Sequence, residues 1–193
     1  MTAEKIKETA LRHFAKNGYE GASLADISGE VGIKKQSIYA HFQGKDDLFL
    51  AVFRTAAENE LRFVERYLDH AKELALETVL YEFLLRYKER YEREDHTKFF
   101  LRMAFFPPKH LYREVVEYGN QYVDRIGSLL HPIFGSGAAS GQLHPDVSVE
   151  RAVAAFAALV DGMFVEMLYG GSESSMRRLD ASWFVFWRGV KND

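Results

Sequence analysis

Lys34, Lys35, Gln36 and Ser37 stand in a row, Tyr39 and His41 follow them, and Lys45 closes the run. Lysine suits a guanine edge and glutamine an adenine edge, while hydroxyls and helix N-termini suit phosphate oxygens. No acidic residue occurs between Gly32 and Lys45. The segment is therefore locally basic, although residues 1–54 balance eight Lys/Arg against seven Asp/Glu and the chain of 193 residues has a net charge of −3. The chemistry on offer is contact with a polyanion by one short stretch rather than by the whole surface. Two lysines at a helix start are also common on any solvated helix, so the residue types alone leave both readings open.

Other chemistries find no matching constellation. With no cysteine there are no disulfides, thiolate metal sites or cysteine nucleophiles, and a reducing compartment suits the chain. The seven histidines never fall within five residues of each other, so the two-histidine helical zinc spacing is missing. Gly135, Gly137 and Gly141 follow no strand and have the wrong spacing for a dinucleotide loop. No catalytic residue, metal or cofactor is expected.

Periodicity predicts helices almost throughout. Ile6, Ala10 and Phe14, with Leu11 beside them, mark one face of a first helix over about residues 2–17, stopped by Gly18. Ser23 caps a second helix through Leu24, Ile27 and Val31, with Asp26 in the acidic place of a capping box, and Gly32 ends it. Ile38 and Phe42 mark a third, about Lys35 to Phe42, and a fourth runs from about Lys45 to His70 through Leu48, Phe49, Val52 and Phe53. Two short helices joined by a tight turn at Gly32 are a helix-turn-helix, whose second helix presents its N-terminal residues to the major groove. That places Lys34, Lys35, Gln36 and Ser37 at base edges, with Tyr39 and His41 beside phosphates.

Further helices are predicted over Leu74–Arg93, about His96–Phe105 before Pro107-Pro108, and from about Lys109 onward, with Pro132 kinking or breaking the last of these before Gly141. Residues 132–148 carry no clear pattern. Val149 to Tyr169 is apolar almost all round, and a final helix carries Met176, Leu179, Trp183, Phe186, Trp187 and Val190 on one seam. A composition of 47% hydrophobic and 27% charged residues excludes a disordered chain. The charged first twenty residues do not read as a secretory signal, and the apolar run Ala152–Val160 is short for a membrane span. A cytoplasmic protein with no membrane partner is expected.

The string from Ser23 to Val52, SLADISGEVGIKKQSIYAHFQGKDDLFLAV, resembles the tetracycline-repressor (TetR) family of bacterial transcriptional regulators. The likeness rests on Phe14 and Gly18, on Ala25 and Ile27, on Gly32, on Tyr39-x-His41-Phe42, and on Lys45-x-x-Leu48. It covers about residues 6–53, and residues 142–168 are similar to the family's penultimate helix less specifically. The resemblance implies that Ser23 caps its helix and touches phosphate, that Tyr39 and His41 meet the backbone, and that Lys45 reaches phosphate. Gln36 departs from the small residue common there in the family, so no base preference carries over.

The implied fold is all-α, with a three-helix helix-turn-helix DNA-binding domain at residues 1–46 and a helical bundle for ligand binding and dimerisation at residues 47–193. The implied function is a ligand-responsive repressor, released from a pseudo-palindromic double-stranded operator by a small hydrophobic or aromatic effector. Tyr87, Phe99, Met103, Tyr122, Phe156 and Met163 are the expected pocket lining, although aromatics at helical spacing are more often plain core. Whether the effector carries positive charge is left open, since Asp161 and Glu166 can serve as pocket acids or as partners of arginines. Val153, Val160, Met176, Leu179, Trp183 and Trp187 are the expected homodimer interface, against the alternative that the tryptophans are intrachain core. The rival functions are a helical ligand-binding module with a vestigial DNA-binding motif, and a nucleoid-type DNA binder without an effector.

Overall fold

A computed structural model describes residues 3–170 and 172–192. Its helices are α1 (Ala3–Gly21), α2 (Leu24–Val31), α3 (Lys35–Tyr39), α4 (Lys45–His70), α5 (Leu76–Arg93), α6 (Asp95–Phe105), α7 (Tyr112–Ala139), α8 (Val149–Tyr169) and α9 (Ser172–Val190), with a 3-10 turn at Lys109–Leu111. Among the described residues there is no strand beyond an isolated bridge between Leu143 and Lys191. Two compact units result. One holds residues up to Glu60 together with Arg93–Gln121, and the other holds Leu61–Glu92 and the residues from Tyr122 onward.

In the first unit the predicted apolar face is the packed one: Ile6, Ala10, Leu11 and Phe14 are buried, as are Ile27, Val31, Ile38 and Phe42. Gly18 leaves helical geometry at φ 70°, which ends the regular run of α1 where the sequence places its stop. Ser23 Oγ accepts from the Asp26 N–H at 3.1 Å and donates to Asp26 Oδ2 at 2.6 Å, so the acid is engaged by the capping hydroxyl itself. At the other end of α2, Gly32 adopts φ 80°, ψ 34°. Its N–H reaches Gly29 O while the Ile33 N–H reaches Ser28 O at 2.9 Å, the paired bonds of a Schellman stop.

Two predicted boundaries move. Helix α3 ends at Tyr39 rather than Phe42, because the N–H groups of His41 and Phe42 both turn back to Ile38 O at 2.9 Å. Pro132 does not break α7, which continues to Ala139. Proline removes one ladder hydrogen bond, and the full burial of Leu130 and Phe134 on either side of it outweighs that loss.

The second unit closes around an aromatic core in which Phe156 lies 6.0 Å from Phe83, 5.9 Å from Phe134 and 5.7 Å from Phe186. Helices α8 and α9 pack on each other. The chain end is tied down by the Asn192 N–H to Gln142 O at 2.9 Å, and the Gln142 carboxamide in turn accepts from the Leu76 N–H at 2.8 Å. By length and apolarity α8, at 21 residues, would suffice to cross a membrane, which corrects the reading taken from Ala152–Val160 alone. Here one of its faces is committed to the core through Ala152, Phe156, Val160, Met163, Phe164 and Met167.

Space for a methyl exists at Gly32, so Gly32→Ala tests conformation alone. An L-residue held in the left-handed region costs about 1–2 kcal/mol. Urea unfolding is expected to show a lower midpoint with an unchanged slope; an unchanged midpoint would show that the turn relaxes without penalty.

Candidate functional site

The first unit carries one continuous exposed edge. Lys34, Lys35, Gln36, Ser37, Tyr39 and His41 are all exposed, while Ile38 in their midst has no solvent contact. Burial of Ile38 against α2 therefore decides which side of α3 faces outward, and that side is the basic one. Tyr39 is 50% exposed, which leaves its ring and hydroxyl open on this edge. Lys45 stands apart, half-buried, with its ammonium 4.2 Å from the centre of the Tyr19 ring. Ser23 is half-buried as well, and its hydroxyl is held by Asp26.

A polar cluster that the sequence does not announce braces this edge. Tyr19 OH donates to Asp46 Oδ1, His110 Nε2 lies 3.3 Å from the same oxygen, and the Tyr19 and His110 rings meet at 5.0 Å. Residues 19, 46 and 110 belong to α1, the first turn of α4 and the 3-10 turn, so no local spacing reveals them. The Tyr19 hydrogen bond, aided by His110 and Lys45, holds the Asp46 carboxyl below its ordinary pKa, and desolvation together with the neighbouring acid raises that of Tyr19. One residue on, Asp47 accepts from the Gln43 N–H at 2.8 Å and closes the start of α4. Beneath lies an aromatic core in which Phe49 is 5.2 Å from Phe14 and 5.8 Å from Phe99.

Phe99 thus belongs to the first unit, and so does Met103 on the same helix, α6. The other residues expected to line a ligand chamber are in the second unit, where the structure brings only some of them together. Tyr87 and Tyr122 line one hollow of about 690 Å³ between α5, α7 and α8, and their hydroxyls meet at 2.9 Å. Phe156 is core, and Met163 lines a separate hollow between α8 and α9. Among the described residues there is no group of three or more His, Cys, Asp or Glu side chains that could hold a metal ion.

The expected interface residues are largely covered by the chain itself. Val160, Leu179, Trp183 and Trp187 are buried, and Val153 and Met176 are half-buried. Trp183 packs 5.3 Å from Tyr81 and stacks on Trp187 at 5.6 Å. The neighbouring faces are the open ones, with Val165, Tyr169, Phe184 and Val185 exposed and small residues such as Ala158 and Gly162 between them.

An all-helical chain with a capped helix-turn-helix near its N-terminus and a separate helical unit is the class of protein defined so far. Residues 6–52 match the family model of bacterial regulatory proteins, tetR family. The chain is 33% identical over 86 residues to the biofilm operon icaADBC HTH-type negative transcriptional regulator IcaR of Staphylococcus epidermidis, covering 44% of each chain. It spans about half the length of the curated relatives it matches. A TetR-family transcriptional regulator from Cytophaga hutchinsonii superposes with a TM-score of 0.75 at 18% identity over 99% of this chain and 95% of that one. FadR from Bacillus subtilis, in complex with stearoyl-CoA, superposes with a TM-score of 0.72 at 16% identity over 98% and 100%. The likeness to the tetR family thus rests by sequence on residues 6–52, and solved structures at 21% identity or less share the fold over 98% of the chain.

A depressed carboxylate stabilises the folded state above its unfolded pKa, and this contribution is lost as pH falls through the folded value. Tyr19→Phe removes the largest cause of the depression at Asp46. Carboxyl titration by NMR is expected to place Asp46 below the ordinary carboxylate range in the native protein and to move it upward in the variant. Identical titration in both would mean that the contact does not form.

Proposed function

We propose that the protein is a transcriptional repressor that holds operator DNA through the exposed edge of α3 and releases it when a small apolar molecule enters the second unit. The orientation of α3 carries this reading: with Ile38 fully buried, Lys34, Lys35, Gln36 and Ser37 are presented together at the helix start. Lys35 and Gln36 then meet base edges, and Tyr39, His41, Ser23 and Lys45 meet phosphates. The negative regulators of the icaADBC operon support the repressing sign, and FadR, a neighbour in fold that is in complex with stearoyl-CoA, supports a small-molecule ligand.

A homodimer completes the reading. Phe184 and Val185 on α9 and Val165 and Tyr169 on α8 are exposed apolar side chains of the kind a two-fold partner covers. Helix α4 begins in the first unit and continues into the second. A ligand that favours a dimer with α4 displaced would take the two recognition helices out of register with successive major grooves.

Fluorescence anisotropy on the full chain tests the DNA arm, using the DNA upstream of its own gene and a shuffled sequence across a salt series. Tight binding to the native fragment is expected, falling about 10³–10⁵-fold between roughly 50 and 200 mM salt if about six to ten phosphates are contacted. Tyr39→Ala is expected to weaken both DNAs alike, whereas Lys35→Ala or Gln36→Ala changes which sequence is preferred. Equal losses on every sequence for both kinds of variant would contradict the assignment of roles. If library selection from random DNA also enriches no sequence, the chain is instead a ligand-binding module with a vestigial motif.

A further inference from the structure

The two acids that the sequence leaves ambiguous on α8 part company in the structure. Glu166 is paired with Arg178 across the α8–α9 groove. Asp161 lines the other hollow, between α5, α7 and α8, and has no ion pair or hydrogen bond among the described residues. The walls of this hollow are apolar and aromatic, with Phe83, Tyr87, Tyr122, Val160 and Phe164 among them. Its rim also bears Asp124 and Glu150, and among the described residues no lysine or arginine lines it. Its basic group is His131, which lies 3.5 Å from Glu150. Glu150 is well served already: its own backbone, Ser148 and His131 hydrogen-bond to it and lower its pKa.

At about 690 Å³ the hollow has the size of a small-molecule site, and its formal charge is negative whatever the state of His131. An anionic guest would meet like charge. A neutral guest would gain nothing from the acidic rim. A guest with a positive nitrogen or phosphorus would be attracted by the carboxylate and could rest its apolar part on the half-exposed wall of Ile126, Val153 and Ala157. Asp161 is exposed at the rim of the hollow, and partial desolvation by its neighbours raises its carboxyl pKa.

We infer that the effector is a lipophilic organic cation, with its apolar body against Ile126, Val153 and Ala157 and its positive group at Asp161. This rests on the reading that a ligand entering the second unit releases DNA, and it adds the charge that the sequence leaves open.

The test compares two xanthene dyes of similar shape and opposite charge, a cationic rhodamine methyl ester and anionic fluorescein, by equilibrium dialysis against the full-length protein. The variants are Asp161→Asn, Ala157→Phe to fill the hollow, and Asp180→Asn on α9 as a control, each checked for native helicity and melting temperature. The cationic dye is expected to bind, to lose about 10–100-fold on Asp161→Asn, to be excluded by Ala157→Phe and to be indifferent to Asp180→Asn. Fluorescein is expected not to bind. Failure of the cationic dye to bind, equal binding by both dyes, or an Asp161→Asn variant that binds the cation unchanged would overturn the inference. A shift from dimer to monomer in Asp161→Asn with dye binding intact would overturn it too, by assigning the carboxylate to a second copy of the chain. A parallel anisotropy assay keeps the two readings separable. Release of DNA by neutral or anionic ligands that Ala157→Phe abolishes would leave the ligand response standing and remove only the charge assignment. Cation binding without any change in DNA affinity would do the reverse.

Discussion

The burial of Ile38 is the constraint on which the exposed basic edge of this protein depends. Helix α3 has five residues, far too few to be stable alone. It exists because its central side chain fills the space beside α2 and because the His41 and Phe42 N–H groups fold back onto Ile38 O. With that side chain inward, a short helix has one outward choice, and every residue on it is polar or half-exposed aromatic. The Schellman stop at Gly32 and the Ser23 cap set the ends of α2, and thereby the position from which α3 starts. A basic cluster that looks ordinary as a string of letters becomes a presented surface through this packing.

The same unit ties that surface to residues far along the chain. Phe99 on α6 enters the core with Phe14, Phe49 and Phe53, and His110 meets Asp46 at the first turn of α4. The helix-turn-helix therefore does not end at its own last residue as a packed object: its core is completed by residues from Arg93–Gln121. Any displacement of α6 would be felt by Phe49 and Phe53, which sit on the same helix as Lys45.

What was legible in the sequence was local. The faces Ile6, Ala10, Phe14 and Ile27, Val31, the cap at Ser23 and the stop at Gly32 depend on residues three to five apart, and the structure has them in place. The partners of distant aromatics were not legible, because a phenylalanine signals burial without signalling which core it joins. Phe99 and Met103 went to one unit while Tyr87 and Tyr122 went to the other. Helix α8 shows the same limit from another side. Being apolar nearly all round, it offers no periodic contrast with which to rank its faces, and only packing reveals that Met163 and Met167 are covered while Val165 and Tyr169 stay open. The Tyr19–Asp46–His110 cluster spans 91 positions, and no spacing rule reaches that far.

The measurement that tests the central claim most directly is a hydroxyl-radical footprint of the full-length protein on DNA selected from a random library. Two α3 edges presented by a two-fold dimer predict two protected windows on one face of the duplex, about 34–36 Å or a multiple of that distance apart, and Lys35→Ala is predicted to expose both at once. A single protected window, or protection spread evenly along the DNA and unmoved by Lys35→Ala, would contradict it.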